Sequence, residues 1–483
     1  MSKIEILSDN IVIEGNSFLK NDNASAYAPM NNTSTLYLIQ KENSSLKKEL
    51  LKIIDSAKDV IKICSFLITD KELFQAILHK AKSTTCSIFI LTHLSEDKFS
   101  LKDLGELTQE DRDEINPHFN NICELHRNGV FIRAAKNLHA KFVSVDRNKA
   151  FITSANLTSP SLSFNTESGF YLNTRSAEKL DQLFDVIYQK GANYIEFNIS
   201  SNNSDVVYVT EVEDKVQANY LPKSGQSELR FTYNDLDNSL LKEIINVLDS
   251  SKEYVFISSY SIVQLNKLPE FISAIKRCIS RQVSIHIFCR GMNYRSDHLQ
   301  GAELLSNLGC KLYGDYYNHS KGIVNERKGM IFTANLDGNH GLTSGFEIGY
   351  ILEEDQRKEF ETFHRRLINQ AFYTFKKNFS FNELFKTYDM YEKEKKIINP
   401  FGYKIKQIII PSQYSSLVEL LLNNIAFIRI IDNEYFISCN NKSYSCRFFE
   451  SNCYIEKEKK LGNESKYQSY IFKFNQLKIN CGQ

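Results

Sequence analysis

Several things are missing from this 483-residue chain, and each absence removes a class of function. Its charges nearly cancel, leaving a formal net charge of +1, so no global basic field marks it as a nucleic-acid binder and only a local patch could serve that purpose. No run reaches the roughly 18 consecutive apolar residues of a membrane span. Met1 to Gly15 mixes charged and apolar residues without the basic-then-apolar layout of a secretory signal. A cytoplasmic address without stable membrane insertion is therefore expected. None of the ten cysteines forms a Cys-x-x-Cys pair, and most, such as Cys289 in SIHIFC, sit in apolar strand-like runs. They read as buried thiols of a reducing compartment. The seven-residue spacing of Cys439, Cys446 and Cys453 is wrong for a structural zinc site.

What is present is a duplication. The segment SLKKELLKIIDSAKDVIKICSF from Ser45 matches SLLKEIINVLDSSKEYVFISSY from Ser239. Leu46, Leu50, Ile53 and Ile54 in the first, and Leu240, Ile244, Ile245 and Leu248 in the second, lie at helical spacing. Each helix runs through Asp-Ser-(Ala/Ser)-Lys into a strand. A second helix, a buried strand (CSIFILT or VSIHIFC), a helix stopped by Gly129 or Gly309, and a further strand follow in both copies. Each copy closes on a helix with an apolar stripe: Leu180, Leu183, Phe184 and Ile187, or Phe360, Phe363, Leu367 and Ala371.

Alternating strands and helices predict an α/β fold of two pseudo-twofold-related units, with mixed, mostly parallel sheets covered by helices. The expected division is an N-terminal extension over 1–40, a first unit over 41–197, a connection over 198–229, a second unit over 230–380, and a small β-rich C-terminal domain over 400–483. Between Phe375 and Gln407, eight lysines stand against four acidic residues, a solvated surface or a track for phosphates.

The chemistry sits near the end of each copy. LHAKFVSVDRNKAFITSANLT contains His139, Lys141, Asp146, Ser154 and Asn156, with Glu167 downstream. NHSKGIVNERKGMIFTANLD contains His319, Lys321, Glu326, Thr333 and Asn335, with Glu347 downstream. Each His-x-Lys stands 21 residues after another histidine, His118 or His298, and carries an acidic residue five positions after its lysine. A lone His-x-Lys means nothing; two in register, with the same companions, are not chance.

On a strand, His and Lys two apart face the same way. Two copies facing each other would bring two His, two Lys and two Asn to one seam, a site suited to a phosphodiester. The lysines and asparagines would hold nonbridging oxygens and developing charge. One neutral histidine would attack phosphorus while the other protonates the leaving oxygen and then activates water. Glu167 and Glu347 are expected to hydrogen-bond the far nitrogen of each imidazole. No metal and no other cofactor is needed.

These paired motifs resemble the His-Lys-Asp signature of the phospholipase D superfamily over residues 45–380. The family contains lipid phosphodiesterases and synthases, metal-independent nucleases and tyrosyl-DNA phosphodiesterase. The resemblance implies a first half-site of His139, Lys141, Ser154 and Asn156 and a second of His319, Lys321 and Asn335, with Asp146 and Glu326 as supporting residues. Glu326 replaces the usual Asp, Thr333-Ala334 replaces Ser-x, and Thr153 and Phe332 replace the common Gly. His139 is the expected nucleophile and His319 the expected general acid.

The expected function is a metal-independent nuclease acting on DNA or RNA through a phosphohistidine, with Tyr316 or Tyr317 placed to stack on a base. A helicase, an ATPase or another complex subunit is the expected class of protein partner. A lipid phosphodiesterase or phosphatidyl transferase is the alternative, with the loop from Ser95 to Leu107 as a lid. A third reading is a catalytically weak nuclease-like subunit of an antiviral defence or DNA-processing complex, supported only by the altered second motif.

Overall fold

The computed structural model describes residues 12–380, apart from 32, 84, 94–114, 201–205, 224 and 294, together with 3–4, 383, 387 and the strand residues between 407 and 482. The chain divides into two compact units, one of residues Asn23–Arg290 and Gln300–Ala371, the other of Met1–Asp22, Gly291–Leu299 and Phe372–Gln483.

The first copy, and the second apart from Gly291–Leu299, lie in the first of these units. The first copy comprises β1 (Leu36–Ile39), α1 (Ser45–Ser56), β2 (Val60–Cys64), α2 (Lys71–Ser83), β3 (Ser87–Thr92), α3 (Ile115–Arg127), β4 (Phe131–Ala134), β5 (Phe142–Val145), β6 (Lys149–Thr153), β7 (Glu167–Tyr171) and α4 (Thr174–Val186). A hairpin, β8 (Tyr194–Ser200) and β9 (Val206–Glu211), follows and reaches into the expected connection. The second copy comprises β10 (Leu229–Tyr233), α5 (Ser239–Ser250), β11 (Tyr254–Ser258), α6 (Pro269–Ser280), β12 (Ser284–Arg290), α7 (Ser296–Asn307), β13 (Lys311–Asp315), β14 (Gly322–Asn325), β15 (Gly329–Phe332), β16 (Phe346–Ile351) and α8 (Glu354–Asn369).

The strand order β1-β7-β6-β5-β2-β3-β4 in one sheet is repeated as β10-β16-β15-β14-β11-β12-β13 in the other. The mixed α/β character is as expected, but the parallel majority is not. Within these two runs only β2/β3, β3/β4, β11/β12 and β12/β13 are parallel. The reason is connection length. A helix crosses over between those strands, whereas β5 and β6, and β14 and β15, are joined by tight turns that reverse the chain and force antiparallel pairing.

Burial follows the sequence pattern. Leu46, Leu50, Ile53 and Ile54 of α1 pack with α2, α3 and one face of the first sheet in a single cluster. A second cluster joins the copies: Phe142, Phe170, Leu180 and Phe184 of the first meet Val324, Ile331, Tyr350, Phe360 and Phe363 of the second. The two closing helices therefore lie in a shared core, and burying their aromatic stripes holds one copy on the other. In α5, Ile245 is half-buried, and Leu241 and Val247 are buried with Ile244 and Leu248. Gly129 and Gly309 follow α3 and α7 with φ of +86° and +103°, the left-handed stop a helix end favours.

In the other unit, Val12–Lys20 pairs antiparallel with Tyr373–Ser380. Seven strands between Gln407 and Gly482 join Lys3–Ile4 in one sheet. Of the Lys-rich stretch 376–406, residues 376–380 are strand, and nearly all the rest lies outside the described residues, as does the loop 95–107.

Candidate active site

The backbone sets the site. His139 N and Ala140 N donate to the Phe346 carbonyl at 3.1 and 2.9 Å, and Phe346 N donates to the Asn137 carbonyl at 2.8 Å. In the opposite sense, His319 N donates to Thr166 O at 3.0 Å and Thr166 N to Tyr317 O at 2.9 Å. Each His-x-Lys thus lies in a lead-in just before its strand, bridged to the residue that precedes the other copy's glutamate. Gly345 permits this approach: its φ is +85°, and a Cβ there would stand 2.9 Å from the Asn137 carbonyl oxygen.

The pairing is crossed. His139 Nδ1 lies 2.6 Å from Glu347 Oε1, and His319 Nδ1 lies 2.8 Å from Glu167 Oε1. Ser154 Oγ donates to Glu167 Oε2 at 2.5 Å, and Thr333 Oγ1 donates to Glu347 Oε2. Thr333 therefore makes the hydrogen bond in the second copy that Ser154 makes in the first. Burial alone would raise both carboxyl groups, but the histidine and lysine charges and the hydroxyl donors outweigh it and hold them below the usual range. An ionised carboxylate only accepts, so each Nδ1 carries the proton.

His139 is 20% exposed and His319 is 7% exposed. Burial lowers the His139 pKa; Glu347 opposes this, while the charges of Lys141 and Lys321 add to it. Lys321 belongs to the other copy, so the two half-sites share one electrostatic field. Both lysines are buried, and Nζ of each donates to its own motif histidine's carbonyl, at 2.6 Å from Lys141 and 2.9 Å from Lys321. Lys321 Nζ also lies 3.5 Å from His319 Nε2. Asn156 and Asn335 are buried just past the strand ends, and among the described residues Asn156 Oδ1 has no hydrogen-bond partner. Such an arrangement can hold an anion with ammonium groups and amides while two imidazoles act on it.

Asp146 and Glu326 stand apart from this cluster. Asp146 accepts from the backbone N–H groups of Lys58, Asp59 and Val60 at 2.8 to 3.1 Å, tying the turn between α1 and β2. Glu326 accepts from Lys252 N at 2.7 Å in the equivalent turn. Burial would raise Asp146, but the three amides hold its carboxyl below the usual value. His118 is a core residue: its Nδ1 accepts from Ile68 N at 2.9 Å, and burial lowers its pKa to about 3. His298 is buried and stacks on Phe18. Tyr316 is buried and Tyr317 is half-buried.

Reasoning from the motif alone misses several neighbours. Phe66 meets the His139 ring edge-on at 6.2 Å, and Tyr260 meets His319 at 5.2 Å. Ser65 Oγ accepts from Leu157 N at 3.1 Å and Ser259 Oγ from Leu336 N at 3.0 Å, fixing the segments after Asn156 and Asn335. All four end the matched segments VIKICSF and YVFISSY, so the repeat itself was the signal.

Residues 50–188 match the family model described as "Cardiolipin synthase, PLD-like domain", so this part of the chain, which carries the first motif, is a phospholipase D-like domain. No curated protein matches the chain. Among solved structures it is similar to polyphosphate kinase from Porphyromonas gingivalis, at 12% identity and a TM-score of 0.47 over 68% of this chain; the match spans 46% of that enzyme's length. It is similar to phosphatidylserine synthase from Haemophilus influenzae Rd KW20, at 11% identity and a TM-score of 0.47 over 86% of this chain and 96% of that one. It is also similar to yeast tyrosyl-DNA phosphodiesterase, at 12% identity and a TM-score of 0.39 over 67% of this chain and 90% of that one.

Proposed function

From a phospholipase D-like domain whose histidine is oriented by a glutamate of the second copy, we propose a metal-independent phosphodiesterase that cleaves nucleic acid through a phosphohistidine. The crossed His139–Glu347 and His319–Glu167 pairs carry this reading, because each orients an imidazole through its Nδ1 at a site lined by two buried lysines. In the first step the Nε2 lone pair of His139 forms a P–N bond. The P–O bond to the leaving group breaks, and the leaving oxygen takes the Nε2 proton of His319. In the second step water gives its proton to His319 Nε2 and its oxygen to phosphorus, and the P–N pair returns to His139. Lys141, Lys321, Asn156 and Asn335 hold the nonbridging oxygens throughout.

Phe164 supports a nucleic-acid substrate: it is 58% exposed and stands three residues before Glu167, where an aromatic face can receive a base. Phosphatidyl transfer is the second reading, favoured by the description of the matched family model. An alcohol would then replace water in the second step. A helicase or ATPase that feeds the strand would be the partner class of the nuclease.

The test is incubation with labelled single- and double-stranded DNA and RNA, and with fluorescent phosphatidyl lipids, in excess EDTA. His139→Asn and His319→Asn run alongside. Nucleic-acid cleavage that survives EDTA and is lost in both variants is expected. Lipid turnover alone would replace the nuclease with the transferase, and activity that persists in both variants would overturn the mechanism.

A further inference from the structure

The two half-sites are built from equivalent positions, and one set of positions breaks the equivalence. The register that pairs Thr92 with Ala134 ends just before His93 and Ala135, the sequence counterparts of Arg290 and Asp315, which pair across β12 and β13 in the second copy. Two residues before the glutamates, the first copy has Asn165 and the second has Gly345. Arg290 is 2% exposed. One of its terminal nitrogens donates to Asn165 Oδ1 at 2.8 Å and reaches the Tyr317 carbonyl at 3.4 Å. Its guanidinium lies 5.0 Å from the centre of the Tyr260 ring, the ring that meets His319 edge-on.

Asp315 completes the unit. Its Oδ1 accepts from Tyr317 N at 2.9 Å and Asn318 N at 2.6 Å, the two residues before His319. Asn318 is tied in turn to the Ser259 carbonyl at 2.9 Å. Around His139 the equivalent positions hold no counterpart of the Asp315 carboxylate or the Asn165 amide: Ala135 has no side-chain acceptor and Gly345 has no side chain, while His93 stacks on Phe66. A buried guanidinium is costly to desolvate and is retained where its planar fork fixes several partners at once. Here the partners precede Glu167 on one copy and His319 on the other.

We infer that Arg290 is a positioning residue for the His319–Glu167 pair, fixing the two segments that carry them so that His319 is the proton shuttle of both steps. A shuttle must meet the leaving oxygen in one step and water in the next, within hydrogen-bond reach each time. A nucleophile must instead travel as the P–N bond forms, and His139 is the less enclosed of the two. This rests on the phosphodiesterase reading above.

The experiment compares two substrates in wild type, Arg290→Gln, Arg290→Lys and Asn165→Ala. Bis(p-nitrophenyl) phosphate has a leaving group that departs without a proton; a dinucleotide has one that needs it. For Arg290→Gln the initial burst of p-nitrophenol should stay within about threefold of wild type, while steady-state turnover falls and phosphohistidine accumulates on His139. With the dinucleotide, kcat should fall about 10²-fold with little change in KM. Arg290→Lys should lie between, and Asn165→Ala should move the same way by less, which carries the test if Arg290→Gln does not fold. Equal losses of burst and turnover on both substrates, or a change confined to KM, would overturn the inference. Absence of wild-type turnover on either substrate would overturn the phosphodiesterase reading and this inference with it. A burst that survives His139→Asn would instead reverse the roles of the histidines and overturn the inference alone.

Discussion

Glu347 Oε1 lies 2.6 Å from His139 Nδ1 although the two stand 208 positions apart, and this contact leaves the first half-site incomplete without the second copy. Glu167 returns the same service to His319. A fragment holding only the matched residues 50–188 would keep its His-x-Lys and lose its carboxylate.

Glutamine substitutions should follow the crossed pairing rather than the sequence order. Glu347→Gln should behave like a His139 variant, with a slower first step, and Glu167→Gln like a His319 variant, with slower breakdown of the phosphoenzyme. Each should cost about 10²-fold or more in kcat. Rapid-quench measurement of the two steps checks this; effects following the within-copy pairing would refute it.

The acid limb of the kcat/KM profile should lie below the usual histidine range. Burial, with Lys141 and Lys321, lowers His139, so the neutral nucleophile persists to lower pH than a free imidazole would. Activity should therefore hold from neutrality down through the ordinary pKa of 6.5 and fall only below it. A limb at or above that value would contradict the burial argument.

Asp146→Ala should destabilise without disabling. Three amides of the α1–β2 turn lose their acceptor, which costs about 1–3 kcal/mol, and no group at the histidines changes. Glu326→Ala, with one amide at stake, should cost less. Chemical denaturation and kcat on the same samples test this, and a kcat loss matching that of His139→Asn would show the acidic residue acting in catalysis.

Glu359 of α8 accepts from the backbone N–H groups of Thr35 and Leu36 near 2.8–2.9 Å, from that of Ser34 at 3.0 Å, and from the Ser34 and Thr35 hydroxyls, fastening β1 of the first copy. Burial would raise its pKa, but these donors lower it to about 2. A depressed folded value means that its contribution is full above the ordinary pKa and is lost as pH falls from about 4.5 through about 2. Glu359→Gln should be less stable than wild type by about 1–3 kcal/mol at neutral pH, and the gap should close across that window. A gap unchanged by acid in urea unfolding would count against the assignment.

The copies, their helices and strands, and the paired His-Lys-Asn sets were legible in the chain because burial imposes a period of 3.6 or 2 and a duplication repeats it in register. Leu46 to Ile54 and Phe360 to Ala371 are buried where the periodicity places them. The direction of most strands was not legible, since the turns after Val145 and Asn325 set it. Nor was the ownership of Glu167 and Glu347, because spacing along one copy cannot say which copy's histidine a carboxylate reaches. Arg290 was hidden for the same reason: it closes a strand as an ordinary charged residue, and its two contacts come from segments 125 and 27 positions away. The sequence by itself determined which chemical groups are present, in duplicate. Only the tertiary structure decided how they pair, because hydrogen bonds between the copies form once the shared core has brought them together.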